Sequence, residues 1–327
     1  MSNNNYPYIV ADIGGTNARF GLVTCYDADK QLFTIEQQTT FPTADYPNFD
    51  AVLAAYIEQI NTQVSQACIA VAGPVSGDEF KMTNLSWSFS RSDIKKRFNL
   101  EQFEVINDFA AQACALPYLQ PEDLIDIKSG ERDEFGTRGI IGPGTGLGVG
   151  SLTYHNGQWV PVAGEGGHVA FCPVTDIELS VLAHLQSQQP YISAETLLCG
   201  SGLSTLHKAL SDIKEDNSVD LSPADITERA KQGDTLCLSV LNIFFHQLGV
   251  IAGNLALTNG TTGGIYLAGG ILPRIPELLK QSDFIHGFEN KGAMADYNGR
   301  IPVSLITHPY PALIGSAAWL AQVSRKE

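Results

Sequence analysis

The chain has 327 residues, of which 44% are hydrophobic and 17% are charged, and its formal net charge at pH 7 is −15. This length and composition predict one large or two medium globular domains with a sizeable core. The acidic balance argues against a general nucleic-acid or acidic-membrane binder, which needs a positively charged surface. It is compatible with a phosphate ligand, because backbone N–H groups, helix N-termini or a metal ion can supply local positive field.

The six cysteines are scattered along the chain and form no CxxC pair. This spacing argues against a disulfide framework or a Cys-rich zinc site and favours reduced, mostly buried thiols. The N-terminal MSNNNYPY lacks the basic and apolar regions of a signal peptide. The long apolar stretch 236–257 carries four polar residues, so it predicts a buried helix rather than a membrane span. We therefore expect a cytoplasmic protein.

The first third of the chain alternates strands and helices. Apolar runs predict strands at 7–14, 19–26, 31–37, 67–73 and 103–108, and helical spacing predicts helices at 48–63, 91–99 and 109–116. Such alternation is typical of an α/β sheet.

The pattern that opens the chain returns in its middle. IVADIGGTNARFGLVT (9–24) and GIIGPGTGLGVGSLTYHNGQW (139–159) both indicate a strand, a Gly-rich tip containing Thr, and a second strand. The tips differ by about one residue, so the match is structural rather than literal. A duplicated unit predicts two related lobes, and the Pro-containing 116–136 is interpreted as the crossing between them.

The second lobe is predicted to be mostly helical over 177–257, with one more apolar strand at 263–270. A C-terminal helix follows at 309–323, with Pro311 in its first turn, where proline is favoured. We expect a small α/β domain at 1–117, completed by a C-terminal helix at about 309–327, and a large α/β domain at 118–308.

Two glycine tips are candidate phosphate loops: Gly14, Gly15, Thr16 and Asn17 form the first, and Gly144, Thr145 and Gly146 form the second. Glycines allow positive φ and close approach of N–H groups to a ligand, and the Thr hydroxyl adds a donor. The alternative is a pair of tight hairpins without a ligand. Neither tip fits the GxxxxGK[ST] or GxGxxG patterns, so neither a P-loop nor a Rossmann dehydrogenase is indicated.

Two acidic positions adjoin predicted strand ends. Asp12 precedes the first tip, where it could hold Mg²⁺ on a phosphate through water or stabilise an Asx-type turn. Asn107 and Asp108 follow a strand and begin a helix. Asp108 could cap that helix, but carboxyl ends of parallel strands bind ligands in α/β proteins, and a carboxylate there can accept a hydroxyl proton.

Three further groups have both a binding and a structural interpretation. Glu165 and His168 flank two glycines and could clasp vicinal hydroxyls, or form a loop with a satisfied His. Glu195 lies in the first turn of a predicted helix, where it could serve the helix dipole. Gly269 and Gly270 end a strand and give either flat access to a planar ring or a tight turn.

These segments, taken in order, resemble bacterial glucokinases, in the sugar kinase–Hsp70–actin superfamily. The matching stretches are ADIGGTNARFGL, VAGP with MTNLSW, INDF, GPGTGLG, GEGGH, SAETLLCGSGL and LAGGI, and they cover essentially the whole chain. Related zinc-containing sugar kinases carry a Cys-rich motif after the Glu–His segment, where this chain has only Cys172. The resemblance is therefore to the zinc-free branch.

The resemblance implies a two-lobed actin-like ATPase fold (ribonuclease H-like), with a cleft between a small and a large domain. It implies ATP-dependent phosphorylation of D-glucose to glucose 6-phosphate, the first step of glycolysis, with ATP and Mg²⁺ as cofactors and a homodimer as the assembly. Asp108 would be the base for the 6-hydroxyl. The implied glucose contacts are Asn107, Asp108, Glu165, His168, Glu195 and Asn84; Asp12 and the two tips would bind phosphate, and Gly269 and Gly270 would flank adenosine.

Two alternatives accompany this hypothesis. A kinase for another hexose or an N-acetylhexosamine would share every motif, so only a substrate panel separates it. A non-catalytic sugar sensor would carry an added DNA-binding segment, for which the first strand, starting near residue 7, leaves no room.

Overall fold

The structure is a computed structural model that describes residues 6–82, 85–216 and 219–324. Its strands are β1 (Tyr8–Ile13), β2 (Asn17–Asp27), β3 (Leu32–Pro42), β4 (Gln66–Val71), β5 (Glu79–Lys81), β6 (Ser88–Ser90), β7 (Gln102–Asn107), β8 (Leu124–Lys128), β9 (Arg138–Pro143), β10 (Leu147–His155), β11 (Gln158–Gly164), β12 (Ile265–Leu267) and β13 (Val303–Ile306). Its helices are α1 (Phe49–Ile60), α2 (Arg91–Arg97), α3 (Asp108–Ala115), α4 (Asp176–Gln186), α5 (Ala194–Leu197), α6 (Gly200–Ile213), α7 (Pro223–Lys231), α8 (Thr235–Asn259), α9 (Pro276–Lys280), α10 (Phe284–Glu289), α11 (Ala295–Arg300) and α12 (Pro311–Val323).

The chain divides into two compact units. The first contains Met1–Asp123, Tyr154–Ala163 and His308–Glu327, and the second contains Leu124–Thr153 and Gly164–Thr307. One large sheet has the strand order β3-β2-β1-β4-β7, the other large sheet has the order β11-β10-β9-β12-β13-β8, and β5 pairs with β6 in a small two-stranded sheet. In both large sheets, a hairpin (β1–β2 or β9–β10) is followed by two strands parallel to its first strand. The repeat seen in the sequence is thus a repeat of topology.

The sheet of the first unit is covered on both faces. Along β1, Ile9 joins the apolar cluster that contains Phe49 of α1, whereas the Tyr8 hydroxyl donates to the Ala317 carbonyl of α12. This is the two-residue alternation of a strand, and both sets of side chains are buried. Burial on both faces explains why the central strands of this unit are continuous apolar runs.

The core of the second unit surrounds α8. This helix has 25 residues and is long and apolar enough to span a membrane, but most of its apolar stretch is buried against other parts of the protein. The expectation of a buried helix is met. Asp234 caps its first turn, and Gly260 ends it in the left-handed conformation.

His246 is a buried polar residue within α8, and it is tied to α4. Its Nδ1 lies 2.6 Å from the Glu178 carboxylate, which also accepts the N–H groups of Val174 and Thr175. Burial by itself would raise the pKa of Glu178. The hydrogen bonds that its carboxylate accepts from His246 and from neighbouring donors have the larger, opposite effect and hold that pKa at about 2. The carboxylate therefore joins α4 to α8 as an anion.

Two regions contain elements that the sequence analysis did not predict. The crossing at 116–136 contains a strand, β8, whose residues pair antiparallel with β13. A second region, 276–300, contains the short helices α9, α10 and α11, which the sequence did not indicate. Helices of five or six residues are too short to show a clear period in the sequence.

Helix α12 packs closely on α3 because Gly315 lacks a side chain. A Cβ at Gly315 would overlap the Ala111 carbonyl of α3. We expect Gly315→Ala to lower the free energy of unfolding by about 1–3 kcal/mol, since the helices would have to move apart. Urea denaturation measures the change, and Gly299→Ala in α11 is the control because its Cβ would have no neighbour nearer than 4.0 Å. Equal stability of the two variants would contradict the close packing.

Candidate active site

In the first unit, the ends of three parallel strands lie at one edge of the sheet. The register pairs Ile13 of β1 with Val71 of β4, and Val71 with Asn107 of β7. Because these strands run in the same direction, the segments that follow them leave the sheet side by side. The first glycine tip and the Asn107–Asp108 pair are therefore brought to the same edge.

The first tip closes the β1–β2 hairpin. The Gly14 N–H donates to the Asn17 carbonyl at 2.9 Å. A Cβ on Gly14 would lie 3.5 Å from that carbonyl, an ordinary contact, and its φ is not in the positive region. Gly14, and also Gly144 and Gly146 of the second tip, do not adopt positive φ, so these glycines do not serve the tips through that backbone conformation.

Asp12 lies on β1 opposite Arg19 of β2. The Arg19 Nη1 is 3.4 Å from the Asp12 Oδ2, and the guanidinium also lies over the Tyr310 ring. Burial raises the pKa of the Asp12 carboxyl, and Arg19 partly offsets that effect. The carboxylate is thus held beside the tip by a cation.

Asn107, and not Asp108, is the cap of α3. The Asn107 Oδ1 accepts the Ala110 N–H at 3.0 Å, and its Nδ2 donates to the Gly73 carbonyl at 3.2 Å. The amide thus links the helix to the segment after β4. Asp108 is the first residue of the helix, and its Oδ1 accepts the Phe109 N–H and the Asn107 Nδ2. These donors fix the orientation of the carboxylate.

The second tip closes the β9–β10 hairpin and is shorter by one residue. Gly144 N–H donates to the Gly146 carbonyl at 2.8 Å, and the Gly144 carbonyl accepts the N–H of Gly200, the first residue of α6. A Cβ on Gly144 would have no neighbour nearer than 4.0 Å, so the space beside it is open. A Cβ on Gly146 would overlap the Glu195 carboxylate.

Glu195 is bound to the second hairpin. Its Oε2 accepts the Leu147 N–H at 2.7 Å, and its Oε1 lies 4.0 Å from the His168 Nδ1. Ser193 caps the first turn that carries Glu195. The carboxylate therefore has a role beyond the helix dipole: it holds the start of β10 and faces His168.

Glu165 immediately precedes a single 3-10 turn, Gly166–His168, and His168 is its last residue. A Cβ on Gly167 would overlap the Leu147 carbonyl, and one on Gly166 would overlap Val149. The two glycines thus let the turn lie directly on β10. The Glu165 side chain is exposed, as is that of His168.

An open pocket of about 640 Å³ in the second unit brings three predicted residues together: Thr145, His168 and Glu195. The sequence reasoning missed the rest of its polar lining, which includes Gln188, Gln189, Ser193, Thr196, Ser201 and Thr205. These residues come from the segment between α4 and α5, from α5 and from α6. The only signal in the sequence was the hydroxyl-rich SAETLLCGSGLST.

The two glycines after β12 differ in their surroundings. Gly269 has φ +85°, and a Cβ there would overlap the Pro143 carbonyl, so this glycine is required by the turn. Gly270 has no atom within 4 Å of a Cβ position. Only Gly270 therefore borders open space. Asn84, the remaining predicted contact, lies outside the described residues.

Comparison with known proteins gives a consistent result. The family model described as Glucokinase matches residues 9–323. The glucokinase of Saccharophagus degradans is 43% identical over 97% of this chain and 99% of its own length, and that of Salmonella heidelberg is 42% identical over 96% and 97%.

Solved structures agree with the sequence comparisons. A glucokinase from an Antarctic psychrotroph superposes with a TM-score of 0.90 at 41% identity, covering 97% of this chain and 99% of that one. A Streptomyces griseus ROK family glucokinase, solved with glucose and AMPPNP, gives 0.65 at 19% identity over 97% and 99%, a likeness of fold. The repeated topology and these likenesses define an α/β sugar kinase of the actin-like fold, as the sequence predicted. Within that class, the chain belongs to the glucokinase family.

The open space beside Gly144 gives a test of its role. We expect Gly144→Ala to leave the melting temperature unchanged, because the added methyl group meets nothing, but to raise the KM for ATP if phosphate lies there. Steady-state kinetics and thermal unfolding measure the two quantities. Gly299→Ala serves again as the control, and an unchanged KM for ATP would remove Gly144 from the phosphate loop.

Proposed function

We propose that this protein transfers the γ-phosphoryl group of Mg·ATP to the 6-hydroxyl of D-glucose, giving glucose 6-phosphate and ADP. Family membership supports the reaction class. The observation that carries the residue assignment is the capping of α3 by Asn107. Because Asn107 is the N-cap, Asp108 is not needed for that role, although its Oδ1 accepts the Phe109 N–H of the first turn.

In the first unit, Asp108 would accept the proton of the 6-hydroxyl as that oxygen attacks phosphorus. Asn107 would bind the sugar while fixing the carboxylate through its Nδ2, 3.1 Å from Asp108 Oδ1. The Gly14–Asn17 tip would bind phosphate oxygens with backbone N–H groups. Phosphoryl transfer requires mainly positioning and charge stabilisation, which is what rigid groups at strand ends supply.

Mg²⁺ would enter with ATP and would neutralise charge on the phosphates. Asp12 fits such an ion, because it is a carboxylate beside the tip and Mg²⁺ prefers oxygen ligands and retains several waters. A cation at this position would also favour the ionised form of Asp12, which burial disfavours.

In the second unit, we propose that Glu165, His168 and Glu195 bind sugar hydroxyls. The Gly144–Gly146 tip would bind phosphate, and Gly269 and Gly270 would border adenosine, with Gly270 as the open position. Glu195 would link the sugar site to the phosphate site, since its carboxylate faces His168 and also accepts the N–H of Leu147, the residue after the second tip.

The same proposal includes a homodimer, a cytoplasmic location and entry of the product into glycolysis. These parts rest on the family resemblance.

A second candidate is a kinase for an N-acetylhexosamine. The pocket that contains His168 and Glu195 extends to the amides of Gln188 and Gln189, which could accept a larger substituent.

A substrate panel separates the two sugars. ADP release with Mg·ATP would be measured with glucose, mannose, fructose, galactose, N-acetylglucosamine and N-acetylmannosamine. We expect strong turnover with glucose. Turnover only with an acetylated sugar would replace the substrate and keep the mechanism, whereas a folded protein silent with every sugar would overturn the reaction.

Replacement of Asp108 tests the base. We expect Asp108→Asn to lower kcat by about 10²–10⁴-fold with little change in melting temperature, because the amide keeps the shape but does not take the proton. The matched control is Asp176→Asn, which makes the same change at the first residue of α4, next to its cap Thr175. Comparable turnover in the two variants would eliminate Asp108 as the base.

A further inference from the structure

Thr43 lies directly behind the first glycine tip. Its hydroxyl donates to the Gly15 carbonyl at 2.9 Å, and its backbone N–H donates to the Thr16 carbonyl at 3.0 Å. Only 3% of the residue is exposed, so both hydrogen bonds are protected from water. Two successive carbonyl groups of the tip are therefore held by one residue just after β3.

The direction of those carbonyl groups determines what the tip offers to a ligand. In a planar trans peptide, the C=O and N–H groups point in opposite directions. When Thr43 holds the Gly15 carbonyl, the N–H of Thr16 in the same peptide unit points away from Thr43. The same argument applies to the Thr16 carbonyl and the N–H of Asn17. An anion on the side of the tip that faces away from Thr43 therefore meets N–H donors rather than carbonyl oxygens.

We propose that Thr43 is a positioning residue for the phosphates of ATP. By holding two carbonyl groups of the first tip, it keeps the N–H groups of Thr16 and Asn17 turned toward the phosphates. This inference rests on the proposed function of the tip. Without the hydroxyl, the Gly15–Thr16 peptide would lose the hydrogen bond that holds its carbonyl group and could rotate, since glycine has a wide range of allowed backbone angles.

The second tip has a related arrangement. Its Gly144 carbonyl is held by the N–H of Gly200, at 2.9 Å. Both tips thus have a carbonyl group bonded to a neighbouring element, although the donor is a side chain in one unit and a helix N-terminus in the other. The side-chain donor is the one that mutation can remove cleanly.

Thr43→Val removes the hydroxyl and keeps the shape and the backbone N–H. We expect it to raise the KM for ATP by about 3- to 10-fold, the size of one net hydrogen bond, and to leave the KM for glucose within about twofold. Thr43→Ser, which keeps the hydroxyl, should restore the KM for ATP. A merely structural role would not produce this split between substrates or its rescue by serine.

Two further variants complete the test. Thr261→Val is the control, because Thr261 is fully buried and its hydroxyl has no hydrogen-bond partner among the described residues; it should leave both KM values unchanged. Thr16→Val removes the exposed hydroxyl of the tip itself and should raise the KM for ATP.

The outcomes distinguish the two proposals. If Thr16→Val raises the KM for ATP while Thr43→Val leaves it within twofold of wild type, the positioning role is overturned and the phosphate tip stands. Equal increases in both KM values for Thr43→Val would also overturn it. An unchanged KM for ATP in both Thr16→Val and Thr43→Val, or a folded wild type without turnover, would overturn the proposed function of the tip and the role of Thr43 with it.

Discussion

The parallel pairing of β1, β4 and β7 is the constraint on which the first unit depends. It fixes the register in which Ile13, Val71 and Asn107 end their strands together. A shift by one residue would exchange the side chains that pack on the two faces of each strand, so the packing of both buried faces holds the register. That register determines the positions of the proposed catalytic groups. Asn107 adds a direct link, since its amide bonds the Gly73 carbonyl.

In the second unit, the corresponding constraint is close contact between backbones. Gly167 lies on the Leu147 carbonyl, and Gly146 lies against the Glu195 carboxylate. Neither contact would survive a Cβ, so these glycines are required by packing rather than by backbone angle. The consequence is a site in which Thr145, His168 and Glu195 line one pocket although they come from three separate segments.

The sequence was sufficient for much of this fold because the central strands and long helices have clear periods, and because the β–tip–β pattern occurs twice. It indicated the helix start at Asn107–Asp108 but offered Asp108 as the possible cap, whereas the hydrogen bonds show that Asn107 is the cap; both residue types are good caps, so composition alone does not decide. It could not reveal Thr43, which lies 27 residues after Thr16 and joins it through the pairing of β2 with β3. It missed Gln188 and Gln189 for the same reason: contacts between distant segments leave no local pattern.

A chain with net charge −15 that binds a nucleotide must obtain its positive field locally. The two tips have no Lys or Arg among their residues, and Arg19, the cation near the first, lies 3.4 Å from Asp12. Apart from the Mg²⁺ that would enter with ATP, the source within the tips is the backbone N–H dipole, which acts only if the carbonyl dipoles of the same peptides point elsewhere. Under the proposed function, the orientation of a few peptide groups would take the place of formal charge, and the residues that hold carbonyl oxygens behind the tips would matter as much as those that face the phosphates.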